Sequence, residues 1–465
     1  MNSTRTEYAP EWVFLALALV FGLSFIIVVP PFQAPDETNH FYRAYQLSEG
    51  RLLAERRGGD VGGMLPEALD RTAKTISKNI PGHPENKQEV MEITEAFKIY
   101  ADEGNRSFHK FHYTVLYSPV PFVPQGAAIY AGRRLGLPVL GLVYAGRVAN
   151  LLVWILLMYL AVRTAPAYKW LFVFLALMPL SLFQGMSLSA DSFTNAVCFL
   201  FTALVLRTAS DRENLRLNLL FLFLLSLPLT MSKHAYFPIL MCLFLIPLSF
   251  FHTKKGYFAS FGFIFLINLS INLWWSSKIG YLTVPYNMGF ADTDAVSPER
   301  QLSYILEHPL VYAETFIRTI VRLCQSGWYT VVGKMGWLDV NMPVVYQASY
   351  VWVLAALAIF SKPGALDLRL AKKLLIFIAI FSCVLLFSTS EYLIWTPVGN
   401  QYIDGLQPRY VIPLLPLLFI LLSTRAFGNI FGQHRMLELL MGAYLLFSLL
   451  LALFVIIIRY YVNID

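Results

Sequence analysis

The sequence predicts an all-α integral membrane protein with about eleven transmembrane helices, and three observations predict it. Hydrophobic residues make up 57% of the 465 residues and charged residues only 14%, where a soluble chain of this length carries about 25% charged residues. The apolar residues gather into runs near 12–31, 139–162, 169–186, 192–207, 215–231, 236–251, 257–276, 346–361, 374–389, 410–424 and 436–458. Roughly 20 apolar residues cross a bilayer as a helix, so the shorter runs are expected to sit within protein rather than lipid. The 36 Phe and 25 Tyr suit rings placed at helix ends in the membrane interface. The net charge of +7 comes from Lys and Arg scattered in short connections, which speaks for orientation in a bilayer and against nucleic acid.

The elements follow in order. Residues 1–31 read as an uncleaved signal-anchor helix, because the apolar run is long enough to span and no convincing cleavage site follows. Residues 32–138 form a large first loop. Its run 114–132 is apolar but holds Pro119, Pro121 and Pro124, each of which removes a helix hydrogen bond. If that run does not span, the connections near 163–169, 207–216, 252–255, 362–373 and 425–435 share one side and hold thirteen Lys and Arg. The positive-inside rule makes that side cytoplasmic, so 114–132 is expected as an interfacial or re-entrant helix on the outer face. The N-terminus is then inside, and Val462 to Asp465 outside. Residues 139–276 carry helices two to seven, 277–345 a second outer loop, and 346–465 helices eight to eleven. Four cysteines (Cys198, Cys242, Cys324, Cys383) form no CxxC pair and read as small buried hydrophobes.

Within the first loop, Pro35 suits a first helical position, Asp36 and Glu37 the positive end of the helix dipole, and Gly50 the helix end. Spacings of four and three put Asp36, His40 and Arg43 on one face. Residues 51–105 read as a charged, turn-rich soluble cap with a helical stretch at Lys87 to Tyr100. In the second loop Ser297 to Arg300 lead into an amphipathic helix, with Tyr304, His308, Tyr312, Phe316 and Ile320 as a packing stripe. Lys334 and Asp339 follow, flanked by glycines and Trp337. Short outer loops fall at 187–192, 232–236 and 390–409.

No Walker loop, HExxH, GxSxG or nucleotide-binding glycine pattern is present. An enzyme whose polar loops face outward without a nucleotide site needs a substrate already there, and membrane-embedded lipid phosphates are that class. Ionisable groups beside hydrocarbon are costly and are kept for a reason. On the outer face these include Asp36, Glu37, His40, Arg43, Asp191, Lys233, Lys334, Asp339, Glu391 and Arg409. Lys233 and Arg409 could hold a lipid phosphate, Arg as a bidentate fork and Lys as a point charge, with Arg43 and Lys334 as second choices. The carboxylates Asp36 and Glu37 suit a general base for an acceptor hydroxyl, with His40 orienting them. The plain alternative is that the cations snorkel to head groups and the acids cap a helix.

Several segments together resemble one family: Pro35-Asp36-Glu37 with His40 to Ala44, Ser189 to Ser192 with Asn195-Ala196, Lys233 with Tyr236 to Pro238, Gly336 to Asp339, and Gly405 to Tyr410 with Pro413. The combination resembles the DUF2142 family of predicted bacterial membrane proteins along most of the chain. That family in turn looks like the GT-C superfamily of polytopic glycosyltransferases, which carry an acidic residue in the first outer loop, followed by juxtamembrane helices. The resemblance implies a GT-C-like fold and a bacterial inner-membrane enzyme. Its implied reaction moves a sugar from a polyprenyl-phosphate carrier to a cell-envelope glycan acceptor, with Asp36 or Glu37 as base. Tyr236, Gln407 and Tyr410 join the expected substrate-binding set. Metal use varies in that superfamily; a divalent Mg or Mn bridging Asp36 or Glu37 to a phosphate is compatible with it, though no ligand cluster is legible. The competing expectations are a polysaccharide polymerase or ligase using lipid-linked oligosaccharides, and a lipid-linked sugar flippase, which predicts mid-membrane polar residues and an inverted repeat.

Overall fold

The computed structural model describes residues 9–284, 295–361, 366, 368–424 and 435–463. The basic connection expected at 425–435 lies almost wholly outside these residues, as do five of the twelve residues at 362–373 and the last two residues of the chain.

The chain is mainly helical. Helix α1 (Pro10–Val28) is followed by α2 (Glu37–Ser48), which begins two residues later than Pro35 suggested, because Asp36 takes a left-handed conformation with φ 61°. The turn-rich cap also holds a small sheet that the sequence did not suggest. β1 (Glu55–Arg57), β2 (Asp60–Pro66) and β3 (Arg106–Lys110) form a three-stranded antiparallel sheet in the order β1-β2-β3. Between β2 and β3 lie α3 (Glu67–Ser77) and α4 (Val90–Ala96). The strands are short, and β2 holds Gly62 and Gly63, so they carry no alternating apolar signal. A Cβ at Gly62 would sit 1.8 Å from the His109 carbonyl oxygen, so the pairing requires glycine there.

A 3-10 turn at Val120–Phe122 leads into α5 (Val123–Arg134). Its 12 residues are too few to cross a bilayer, and it packs on α2 and on α6 (Val139–Thr164). The run at 169–186 is not one helix. It divides into α7 (Lys169–Ala176) and α8 (Pro179–Met186), bent by 61°, where Pro179 cannot continue the ladder. α9 (Ala190–Ser210) is the buried centre of the bundle and packs along α6 and α10 (Leu215–Ser232). After Lys233 the chain forms a 3-10 helix, His234–Leu245, rather than an α-helix, with Pro238 inside it.

α11 (Lys254–Ile279) packs on α10 through a buried polar ladder. Thr230 donates to Asn268 (2.6 Å), Asn268 to Ser226 (2.7 Å) and Asn272 to Thr230 (3.0 Å). The amphipathic segment is split by Pro309 into α12 (Pro298–Glu307) and α13 (Pro309–Gly327). The second half of its stripe packs, with Phe316 buried beside Tyr392 and Ile403 and flanked by Tyr312 and Ile320, while His308 is exposed. β4 (Lys334–Met335) and β5 (Val340–Asn341) make a small hairpin before α14 (Val344–Phe360) and α15 (Leu370–Ile394). A 3-10 turn, Pro408–Leu414, runs into α16 (Leu415–Leu421), and α17 (Arg435–Tyr461) closes the fold.

Among the described residues seven helices are long and apolar enough to span: α1, α6, α9, α10, α11 with its extension to Leu282, α15 and α17 from Met436. The pair α7–α8 makes an eighth if it counts as one broken span, and three further apolar helices are shorter. Every apolar run of the sequence thus forms helix, but the runs at 169–186, 236–251, 346–361 and 410–424 give bent or shorter helices. Three cysteines are buried and Cys324 is exposed, against the expectation that all four pack inside.

Candidate functional site

Two carboxylate-bearing turns are locked together by one buried ion pair. Glu37 and Arg147 are both fully buried, joined by contacts of 2.6 and 2.8 Å. Glu37 also accepts from the main-chain N–H of Phe32 (2.8 Å) and of Leu188 (3.2 Å). Arg147 donates to the carbonyls of Val29 (2.8 Å) and Pro30 (3.0 Å). The pair therefore holds the Pro30 to Asp36 turn against the Leu188-Ser189 turn. Phe32 and Asp36 in the first turn both adopt positive φ, a costly geometry for non-glycine residues that needs this support. Ser189 in the second turn caps α9 by accepting from the Asp191 N–H (3.1 Å).

The two turns deliver Asp36 and Asp191 to a cavity of about 420 Å³, within the range of small-ligand pockets. All five segments expected on the outer face contribute to its wall. Arg409 Nη2 donates to Asp36 Oδ2 at 2.8 Å, and its Nη1 to the Pro35 carbonyl at 3.4 Å. Its Nε lies 3.5 Å from Asp191 Oδ2. Asp191 pairs in turn with Lys233 Nζ, which lies 5.1 Å from the Tyr410 ring centre and 5.5 Å from that of Tyr117. Asp36, Arg409, Asp191 and Lys233 thus form one alternating chain of charge. Lys233 is available because α10 stops at Ser232. Arg409 is placed by the 3-10 turn that Pro408 opens, and the Tyr236 hydroxyl steadies it by donating to the Tyr410 carbonyl (2.8 Å).

His40 stacks on Tyr117, with ring centres 6.3 Å apart, and tilts against Phe122 at 5.6 Å. Its Nδ1 is buried without a partner. Burial pushes the imidazole down to about 4, against the pull of Asp36 and Asp191, so the ring is neutral at pH 7. Glu391 and Gln407 also face the cavity; Tyr410 hydrogen-bonds to Glu391, and Gln407 Oε1 is buried without a partner.

Seven of the expected residues therefore meet: Asp36, His40, Lys233, Tyr236, Gln407, Arg409 and Tyr410. Four do not. Glu37 is committed to Arg147, and both its oxygens are already engaged by donors, so it holds the fold rather than facing the cavity. Arg43 lies buried beneath the cap, bound to Gln46 and to the Leu52 carbonyl (2.7 Å). The helix-face argument put it beside Asp36, but Asp36 precedes the helix and leaves it in another direction. Asp339 binds Arg459 at 2.6 Å, and Arg459 also reaches the carbonyls of Ile80, His83 and Asn86, so this pair ties α17 to the cap. Lys334 sits in β4, outside the cavity wall.

Asp191 and Glu391 also line the cavity, although the sequence assigned neither a role beyond its place on the outer face. Both were visible as acids at the ends of apolar runs, but nothing in the sequence says which end groups point inward. Among the described residues no group of three or more His, Cys, Asp or Glu is placed to hold a metal ion.

The family model for predicted membrane proteins of the DUF2142 type matches residues 19–418. The chain belongs to that family. The matched span runs from α1 to α16 and so includes every cavity residue from Asp36 to Tyr410, while α17 lies beyond it. No curated protein and no solved structure matches this DUF2142 protein significantly.

Proposed function

We propose that this DUF2142 protein is a glycosyltransferase of the bacterial inner membrane. It moves a sugar from a polyprenyl-phosphate carrier to a cell-envelope glycan acceptor on the outer face, with its N-terminus inside. The observation that carries the reading is the charge chain Asp36–Arg409–Asp191–Lys233 in a half-apolar cavity at one end of a membrane bundle. Two cations side by side suit a phosphate, and apolar walls from α10 and α15, such as Met231, Leu386, Phe387 and Ile394, suit the first isoprene units.

In this reading the donor phosphate takes Arg409 and Lys233 from their carboxylates. Asp36, released from Arg409, accepts the acceptor hydroxyl's proton as its oxygen attacks C1 and the lipid phosphate leaves. His40, neutral and with a free ring nitrogen, holds the acceptor or donor sugar by hydrogen bonding. Positioned bases of this kind contribute about 10²–10⁴-fold.

The test uses the full-length protein in nanodiscs with polyprenyl-phosphate monosaccharides and, in parallel, polyprenyl-diphosphate oligosaccharides. Transfer from the monosaccharide donor, reduced at least about 100-fold in Asp36→Asn, supports the reading. Transfer from the diphosphate oligosaccharide alone assigns a polymerase or ligase instead, and undiminished transfer by Asp36→Asn removes the proposed base.

A further inference from the structure

The cavity holds one carboxylate more than it has cations. Asp36 and Asp191 are paired with Arg409 and Lys233, and His40 is neutral at pH 7. Glu391 faces the same space, and its side chain hydrogen-bonds to the Tyr410 hydroxyl. Its place is fixed. It lies in the last turn of α15, where its main-chain carbonyl accepts from the Trp395 N–H (3.0 Å) and the Thr396 hydroxyl (3.1 Å). The negative end of a helix dipole disfavours a carboxylate there. Gly405, at φ +82°, leaves room for the group: a Cβ on it would lie 2.8 Å from Glu391 Oε2 and 2.6 Å from the Trp395 ring.

A phosphate-bearing ligand makes this imbalance worse, since it adds negative charge to a site already carrying three acids against two bases. The charged and titratable groups that share the cavity with Glu391 are Asp36 and Asp191, which repel a negative charge, the imidazoles of His40 and His234, and Lys233 and Arg409, which are shared with other acids. Tyr117 and Tyr410 are uncharged phenols. His112 also lines the cavity and lies beside Asp60, 3.6 Å away.

We propose that Glu391 is the proton carrier of this cavity: it is protonated when the lipid phosphate is bound, and it hands that proton to the phosphate as it leaves. The inference rests on the glycosyl-transfer reading above. In the step, the acceptor oxygen bonds to C1 and its proton goes to Asp36. The bond from C1 to the phosphate oxygen breaks, and its electron pair stays on that oxygen. The Glu391 proton moves onto the phosphate, leaving Glu391 as a carboxylate beside Tyr410. Asp36 then releases its proton to water and Glu391 regains one from water, so the acceptor's proton is the net proton delivered to the lipid phosphate.

The experiment measures binding of sugar-free polyprenyl phosphate to the full-length protein in nanodiscs between pH 5.5 and 8.5. It compares wild type, Glu391→Gln and Tyr410→Phe, each checked for a monodisperse size-exclusion profile. The ligand's own titration is common to all three. The wild type should lose affinity by up to about tenfold per pH unit relative to Glu391→Gln, once Glu391 must be protonated to admit the ligand. Tyr410→Phe should move the pH at which that loss begins. A Glu391→Gln profile parallel to wild type overturns the proton-carrier role while leaving the phosphate site standing. No binding by wild type at any pH overturns the phosphate reading, and this role with it.

Discussion

Asp36 and Glu37 are neighbours in the chain, yet their side chains leave it toward different arginines, Arg409 on the cavity wall and Arg147 in the interior. The left-handed turn at Asp36 separates them. Removing one member of a fully buried pair leaves the other charge uncompensated and costs about 3–5 kcal/mol. Glu37→Gln should therefore lower the melting temperature and folded yield of the detergent-solubilised protein, measured by scanning fluorimetry. Asp36→Asn should melt close to wild type and fail in transfer. The opposite ranking would reverse the roles given to the two acids. His40 carries a pH signature. Its imidazole is held neutral in the fold, down to about 4, where an unfolded chain titrates near 6.5. The unfolded state thus binds a proton first, and the stability His40 provides is complete above pH 6.5 and lost as pH falls toward 4. That loss amounts to about 3 kcal/mol. Melting temperature against pH should show it in wild type and show less of it in His40→Phe.

At the scale of elements, prolines place the site. Pro238 lies inside the 3-10 helix that follows Lys233, and Pro408 and Pro413 shape the turn that carries Arg409. Both cations thus lie at points where regular α-helix fails, which frees side chain and backbone to face the cavity. Gly405 serves the same end between α15 and that turn. Gly405→Ala forces a Cβ against Trp395 and Glu391 in a backbone region alanine rarely adopts. It should lower transfer more than it lowers global stability, judged by activity and melting measured on one preparation. The polar ladder of Ser226, Thr230, Asn268 and Asn272 has another task, which is to join α10 to α11 in an apolar setting. Hydrogen bonds between membrane helices are worth roughly 0.6–2 kcal/mol. Asn268→Val is expected to lower the unfolding free energy by about that much, read from denaturant unfolding, and to leave lipid-phosphate binding unchanged.

For the whole molecule, the orientation reading makes a direct prediction in intact cells. With Cys324 replaced by Ser, a cysteine introduced at the exposed Glu85 of the cap should react with a membrane-impermeant maleimide, while one introduced at Arg212 should react only after lysis. Reaction at Arg212 in intact cells would invert the topology and move the cavity to the cytoplasmic side. Much of the architecture was legible because hydropathy is a local property. Each apolar run carries its own statement that it will be helix in lipid, and the Lys and Arg between runs point to one side. Legible too were Asp36, His40, Lys233 and Arg409, since charge at the mouth of an apolar helix is rare enough to draw notice. The small sheet of the cap was not legible, because its strands are short and interrupted by Gly62 and Gly63. The demotion of Glu37, Arg43, Lys334 and Asp339, and the promotion of Asp191 and Glu391, also needed the folded chain. Pairing is a matter of distance between residues far apart in sequence: Glu37 meets Arg147 and Asp339 meets Arg459 across more than a hundred residues. By itself the sequence determined that this is a helical membrane protein with ionisable groups at helix ends. Only the tertiary structure decided which of those groups neutralise one another inside the protein and which are left facing a cavity, because that choice depends on contacts no local pattern encodes.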